Sequence, residues 1–186
     1  MSSLRPAVFL DRDGTLSVER ELLRSPEDLD LYDGVGSALK HLQDAGYALI
    51  VVTNQSALAR GTLSEQELVE VHDHLRELLA TDGVFLEGIF HCPHHPTEGE
   101  PPLRASCECR KPAPGMITEA ALKHEIDLER SWTIGDDIRD IEAGELAGTR
   151  SLLVKTGKGE RFAAQLSEAQ VVSDLSAAVA LILAER

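Results

Sequence analysis

Ala7-Val8-Phe9-Leu10-Asp11-Arg12-Asp13-Gly14-Thr15 joins four consecutive apolar residues to two aspartates and a tight-turn glycine. A short run without polar alternation predicts a parallel strand covered on both faces. In open α/β sheets ligands bind beyond the carboxyl ends of such strands. Two carboxylates two residues apart at that place can serve one metal ion and one reacting centre. A strand end followed by an ordinary Asp-Gly turn is the plainer alternative.

Further runs of this kind follow: Tyr47–Val52, Gly88–Phe90, Trp132–Ile134, Ser151–Val154 and the short Val171–Val172. Helical patterns lie between them. One begins near Asp33, carries Val35, Leu39 and Leu42, and stops at Gly46. The next begins at Ser64 with Glu67 as its capping-box partner. Its apolar stripe is Leu68, Val71, Leu75, Leu78 and Leu79. Others start after Pro114, placed in the first turn, and run from about Ile138 to Ala147 and from about Leu175 to Ala184. The alternation predicts an α/β, doubly wound, mainly parallel sheet. The 186 residues suit a single domain over residues 1–186.

With 42% hydrophobic and 27% charged residues, the chain reads as globular. No apolar run is long enough to span a bilayer, and Met1–Pro6 leads into no secretory pattern. The expectation is a cytoplasmic protein with no membrane partner. A formal charge of −14 argues against a nucleic-acid partner. No apolar seam suggests self-association, so a monomer is expected.

Three other strand ends carry polar groups. Thr53-Asn54-Gln55 offers a hydroxyl and an amide to an oxyanion, or caps a turn. Gly135-Asp136-Asp137, with Asp140 one turn later, clusters acids that repel unless a cation joins them. A helix N-cap explains one of these acids but not all three. Arg110-Lys111 supplies charge for phosphoryl oxygens, or is a solvated basic pair.

Six of the eight prolines fall between Pro93 and Pro114, in a stretch with neither helical nor strand period. Cys92, Cys107 and Cys109 are the three cysteines of the chain. An odd, clustered set suits a metal better than a disulfide framework. Cys92-Pro93-His94 and Cys107-Glu108-Cys109 offer four ligands for a closed tetrahedral Zn²⁺, so a structural zinc loop is expected at about 92–110. His95 is the fallback ligand.

Paired Asp, Thr-Asn, Lys and Gly-Asp-Asp, in that order, resemble the haloacid dehalogenase (HAD) superfamily over most of the chain. The resemblance implies a Rossmann-like fold and a Mg²⁺-dependent phosphatase working through an aspartyl-phosphate; the short stretch between Thr15 and the first helix leaves no room for a large cap domain, so an open site is expected. Asp11 is then the nucleophile and Asp13 the acid and base. Thr53, Asn54 and Lys111 hold the transferring group, and Asp11, Asp13 (through its backbone carbonyl) and Asp136 hold Mg²⁺. Two zinc-loop branches carry this pattern: heptose 1,7-bisphosphate 7-phosphatases, of lipopolysaccharide-precursor synthesis, and histidinol-phosphate phosphatases. Thr53–Gly61 and Cys109–Met116 are similar to the heptose branch. A small phosphorylated sugar is therefore the expected substrate, with Arg12, Asn54, Gln55, Ser56, Arg60, Arg110 and Asp137 as binding residues. Specificity is expected from Glu19–Leu22, Gln55–Arg60 and the zinc loop. Ala57 and Asp137 depart from the branch pattern of Gly and of Lys or Ser, and Asp137 is expected to remove a cation from the site.

Overall fold

The computed structural model describes residues 4–20, 23 and 25–186. Six strands form one parallel sheet: β1 (Ala7–Leu10), β2 (Ala48–Asn54), β3 (Gly88–Cys92), β4 (Trp132–Gly135), β5 (Arg150–Val154) and β6 (Val171–Val172). Their spatial order is β3-β2-β1-β4-β5-β6. The order reverses between β1 and β4, so Asp11 emerges at the switch point where such sheets open a crevice.

Five helices connect the strands: α1 (Val35–Asp44), α2 (Glu65–Ala80), α3 (Gly115–His124), α4 (Ile138–Ala147) and α5 (Leu175–Ala184). The capping box at α2 forms as its sequence predicts. Ser64 Oγ accepts from the Glu67 N–H at 3.2 Å, and Glu67 Oε2 accepts from the Ser64 N–H at 2.7 Å. Gly148, in the left-handed conformation, ends α4. Pro114 stands at the N-cap of α3 rather than inside its first turn.

Successive strand residues point to opposite faces, and the core divides accordingly. Val8 and Leu10 of β1 pack in the cluster containing Leu39 and Leu42 of α1, Val71 and Leu75 of α2, and Val179 and Ile182 of α5. Ala7 and Phe9 pack in the cluster containing Met116, Ile117 and Ala120 of α3 and Ala143 of α4. With both faces covered, the sheet is doubly wound. Phe9 is fully buried, and its truncation to alanine would cost about 3–5 kcal/mol. Between Thr15 and α1, among the described residues, the chain forms only a 3₁₀ turn at Pro26–Asp28 and isolated bridges, so no large cap covers the crevice.

Candidate active site

Asp11 leaves β1 with its N–H on the Ile134 carbonyl at 2.9 Å. Lys111 enters from a segment far along the chain. Its Nζ donates to Asp11 Oδ1 at 2.7 Å and to the Val52 carbonyl at 2.8 Å, and pairs with Asp140 Oδ1 at 2.6 Å. Asp11, Asp136 and Asp140 bring carboxylate oxygens within 4.8 Å of one another. All three are buried, as is Lys111. Burial raises the pKa of Asp11 against the pull of Lys111, and Asp140, Asp136 and Asp13 push it further up. Burial also lifts Asp136 to about 7, against the Lys158 N–H that donates to its Oδ2 at 2.7 Å. Burial opposes the charge on Lys111, yet Asp11 and Asp140 outweigh it and keep the ammonium protonated. Three buried acids around one ammonium leave uncompensated negative charge and a set of hard oxygen donors. That combination fits a divalent cation such as Mg²⁺.

Asp13 is held differently. Arg12 grips it with Nε on Oδ1 at 3.0 Å and Nη2 on Oδ2 at 2.9 Å, and the Gln55 amide donates to Oδ2 at 2.9 Å. Burial works to raise the Asp13 pKa, but Arg12 and Gln55 prevail and hold it below the usual carboxylate range. Arg12, expected to touch substrate, is only 1% exposed and its guanidinium is committed to Asp13. Arg12 also lines the cleft above the site.

The β2 strand end also divides its work. Thr53 Oγ1 accepts from the Gln55 amide at 2.9 Å, which leaves the hydroxyl hydrogen for another acceptor. Asn54 pairs with the backbone of residue 111 in both directions, Nδ2 to the carbonyl and N–H to Oδ1, each at 3.1 Å. The Asn54 amide thus anchors the segment that delivers Lys111. Gly14 makes the turn after Asp13 at φ +91°, where an added Cβ would lie 2.1 Å from Asp136 Oδ2. Only glycine lets the turn approach this acid.

A cleft of about 660 Å³ opens above these groups, lined also by Ser56, Arg60, Arg110 and Asp137. Arg110 donates from Nη1 to Ser56 Oγ at 2.8 Å and to the His94 carbonyl at 3.0 Å. Asp137 caps α4 and receives Nε and Nη2 of Arg139 at 2.9 and 2.6 Å. The cleft wall therefore does carry a cation beside Asp137, supplied two residues on. Of Glu19–Leu22, Glu19 lines the cleft and pairs with Lys158, while Glu21 and Leu22 lie outside the described residues.

The 93–114 segment is ordered by the cluster it encloses. Cys92, His94, Cys107 and Cys109 place their ligand atoms within 4.8 Å of one another, with Cys109 Sγ at 3.0 Å from Cys92 Sγ, 3.2 Å from Cys107 Sγ and 3.4 Å from His94 Nδ1. Ligand bonds of about 2.0–2.3 Å to a tetrahedral zinc span comparable edges. The donor set is that of a closed, structural Zn²⁺ site. His95 stands apart, its Nδ1 accepting from the Thr97 and Glu98 N–H groups.

Asp140, Arg139 and Lys158 are site residues that the sequence reading left without a role. Asp140 was signalled by its one-turn spacing from Asp136. Lys158 follows β5 and could have been found by reading that strand end like the others. Arg139 carries no local signal.

A HAD-hydrolase-like family model matches residues 108–178. The chain is 41% identical over 173 residues to the D-glycero-beta-D-manno-heptose-1,7-bisphosphate 7-phosphatase of Photorhabdus laumondii, covering 92% of each. It is 45% identical over 156 residues to the Haemophilus ducreyi enzyme of the same name, covering 83% of this chain and 85% of that one. The D,D-heptose 1,7-bisphosphate phosphatase of B. bronchiseptica, solved with magnesium and phosphate, superposes with a TM-score of 0.86 at 35% identity, covering 97% of this chain and 99% of that one. A shared sheet order cannot account for identity at this level across nearly the whole length, and the chain belongs to the D-glycero-β-D-manno-heptose-1,7-bisphosphate 7-phosphatase family of HAD-like hydrolases.

Proposed function

We propose that this protein hydrolyses the 7-phosphate of D-glycero-D-manno-heptose 1,7-bisphosphate through an aspartyl-phosphate on Asp11. The observation that carries the reading is the buried Asp11–Lys111–Asp140 arrangement at the sheet's switch point, in a chain of this family. An Asp11 carboxylate oxygen attacks phosphorus and the bond from phosphorus to the sugar oxygen breaks. Asp13, which takes up a proton as the anionic phosphate binds beside it, gives that proton to the departing oxygen. In the second half Asp13 takes a proton from water, the water oxygen attacks phosphorus, and the Asp11–phosphorus bond breaks to release phosphate. The ionised Asp13 gripped by Arg12 and Gln55 is the form suited to that second half.

Thr53 and Lys111 steady the oxygens of the transferring group, while Asn54 holds the Lys111 backbone in place. Asp11, Asp136 and the Asp13 carbonyl would hold Mg²⁺, which supplies positive charge where an anionic phosphate meets an anionic nucleophile. Ser56, Arg60 and Arg110 face the sugar and its remaining phosphate, and Asp137 serves by holding Arg139 at the cleft wall. Cys92, His94, Cys107 and Cys109 would hold Zn²⁺, which would stiffen the loop that delivers Arg110 and Lys111. Residues 1–186 work as one domain and as a monomer in the cytoplasm, with a phosphorylated sugar as partner rather than nucleic acid or membrane.

The test is phosphate release with Mg²⁺ from heptose 1,7-bisphosphate and from histidinol phosphate at equal concentration. Preference for the heptose in kcat/KM is expected, because histidinol phosphate brings an ammonium to a cleft lined by arginines. Asp11→Asn is expected to lower kcat by at least about 10⁴-fold while the thermal midpoint stays near that of the parent. Retained turnover in that variant would overturn the mechanism.

A further inference from the structure

The cleft is electrostatically divided. At its floor the acids Asp11, Asp136 and Asp140 surround a single ammonium. Five arginines line it: Arg12 and Arg20 are paired with Asp13 and Asp30, and Arg60, Arg110 and Arg139 stand along the wall. Arg60 is paired with Glu98. Arg110 has no carboxylate partner among the described residues. It spends Nη1 on Ser56 and the His94 carbonyl, and its Nε and Nη2 find no protein acceptor there. Asp137 occupies Nε and Nη2 of Arg139 and leaves the Nη1 edge of that fork open. Burial depresses the Arg110 pKa, and Arg139 is the strongest repelling charge on it, with Arg60 adding to the effect.

Arg139 also sits in the first turn of α4, where a cation opposes the helix dipole. Nothing in the packing of the chain requires it there, since its side chain is 41% exposed. Two guanidiniums lining one cleft, each with an edge free to donate, suit an anion.

We infer that Arg139 is a specificity-determining residue that, with Arg110, receives a second anionic group of the substrate remote from the phosphate being transferred. The inference rests on the phosphatase reading above and adds Arg139 to the residues that recognise the phosphate left on the sugar. A monophosphate leaves Arg110 without an anionic partner and the open edge of Arg139 unfilled, and a phosphate ester with an ammonium adds a further cation beside them. The Asp137 carboxylate holds the fork in one orientation, so the second anion meets donors that are already aligned.

The experiment measures kcat/KM for heptose 1,7-bisphosphate and for heptose 7-phosphate in the parent enzyme, Arg139→Ala and Arg139→Lys. The ratio of the two values reports discrimination by the second phosphate. In Arg139→Ala that ratio is expected to fall about ten- to a hundredfold, through KM for the bisphosphate rather than kcat. Arg139→Lys keeps the charge without the fork and is expected to recover part of the ratio. An unchanged ratio in Arg139→Ala, or equal losses on both substrates, overturns the inference while leaving the phosphatase reading intact. Failure of the parent enzyme to release phosphate from the bisphosphate overturns that reading and the inference with it.

Discussion

His72 shows how one side chain can depart from its helix's pattern. It lies on α2 beside Val71 and is buried, with Nε2 making no hydrogen bond. Burial, together with the nearby Arg12, His91 and Arg76, lowers its pKa from 6.5 to about 3. The folded chain therefore binds this proton less readily than the unfolded chain. Stability from this group is complete above pH 6.5 and is lost as the pH falls from 6.5 toward 3. The loss reaches about 2 kcal/mol between pH 7 and pH 5. Urea titrations of the parent and His72→Leu at both pH values should reveal a gap changing by about that amount in favour of the variant. A gap independent of pH would place the titration elsewhere. At this scale, rarity decided what could be read in advance. Asp11 and Asp13 are charged residues at the end of an apolar run, where burial of charge needs a reason, and Lys111 follows directly on the cysteine loop. Arg139 is a charged residue in a helix turn, where charge is ordinary.

The zinc loop is the element with no periodicity of its own, and its contacts explain its order. Leu103 packs with Leu58, Leu63 and Leu68, and Glu98 pairs with Arg60. An added Cβ on Gly99, at φ +82°, would lie 1.9 Å from the Ala59 carbonyl oxygen. The loop thus braces the 55–61 segment as well as Arg110. Removal of zinc, or Cys107→Ser, should loosen both, raising KM and costing on the order of several kcal/mol in stability. Metal analysis should find one zinc per parent chain and none in the variant. A parent without zinc, or a variant of unaltered KM and stability, would refute the bracing role. Cysteine count and spacing made this loop legible despite its irregular backbone. The stripe of α2 was less legible, for Leu78 is only partly buried while His72 takes an inward position. Periodicity locates a helix face, but its edges depend on what packs there.

For the molecule as a whole, which carries a net charge of −14, the telling feature is the crevice floor, where the buried Asp11, Asp136 and Asp140 surround one lysine ammonium. A divalent ion that binds only the folded state stabilises it by mass action. Saturating Mg²⁺, at about a hundred times its dissociation constant, should add about 2.7 kcal/mol and raise the thermal midpoint by roughly 5–10 °C. Monovalent salt at matched ionic strength controls for screening of the overall charge, and Asp136→Asn should blunt the Mg²⁺ response. An equal response to monovalent salt would assign the effect to screening alone. The sheet order β3-β2-β1-β4-β5-β6 makes such coupling global, because Asp11 and Asp136 follow the carboxyl ends of the adjacent central strands β1 and β4 and Asp140 lies in the first turn of α4.

Element order, the doubly wound parallel sheet and the identity of the acids and cysteines were determined by the amino-acid sequence itself. Apolar runs, helical periods and caps are local properties, set by residues a few positions apart. Pairing was decided only by the tertiary structure. Lys111 meets Asp11 across 100 positions, and Asn54 meets residue 111 across 57. Arg12 spends its guanidinium on Asp13, and Arg139 reaches the wall that Asp137 alone was expected to occupy. Electrostatic and hydrogen-bonding energies depend on separation in space and on desolvation, and neither is defined until the sheet has brought its strand ends together.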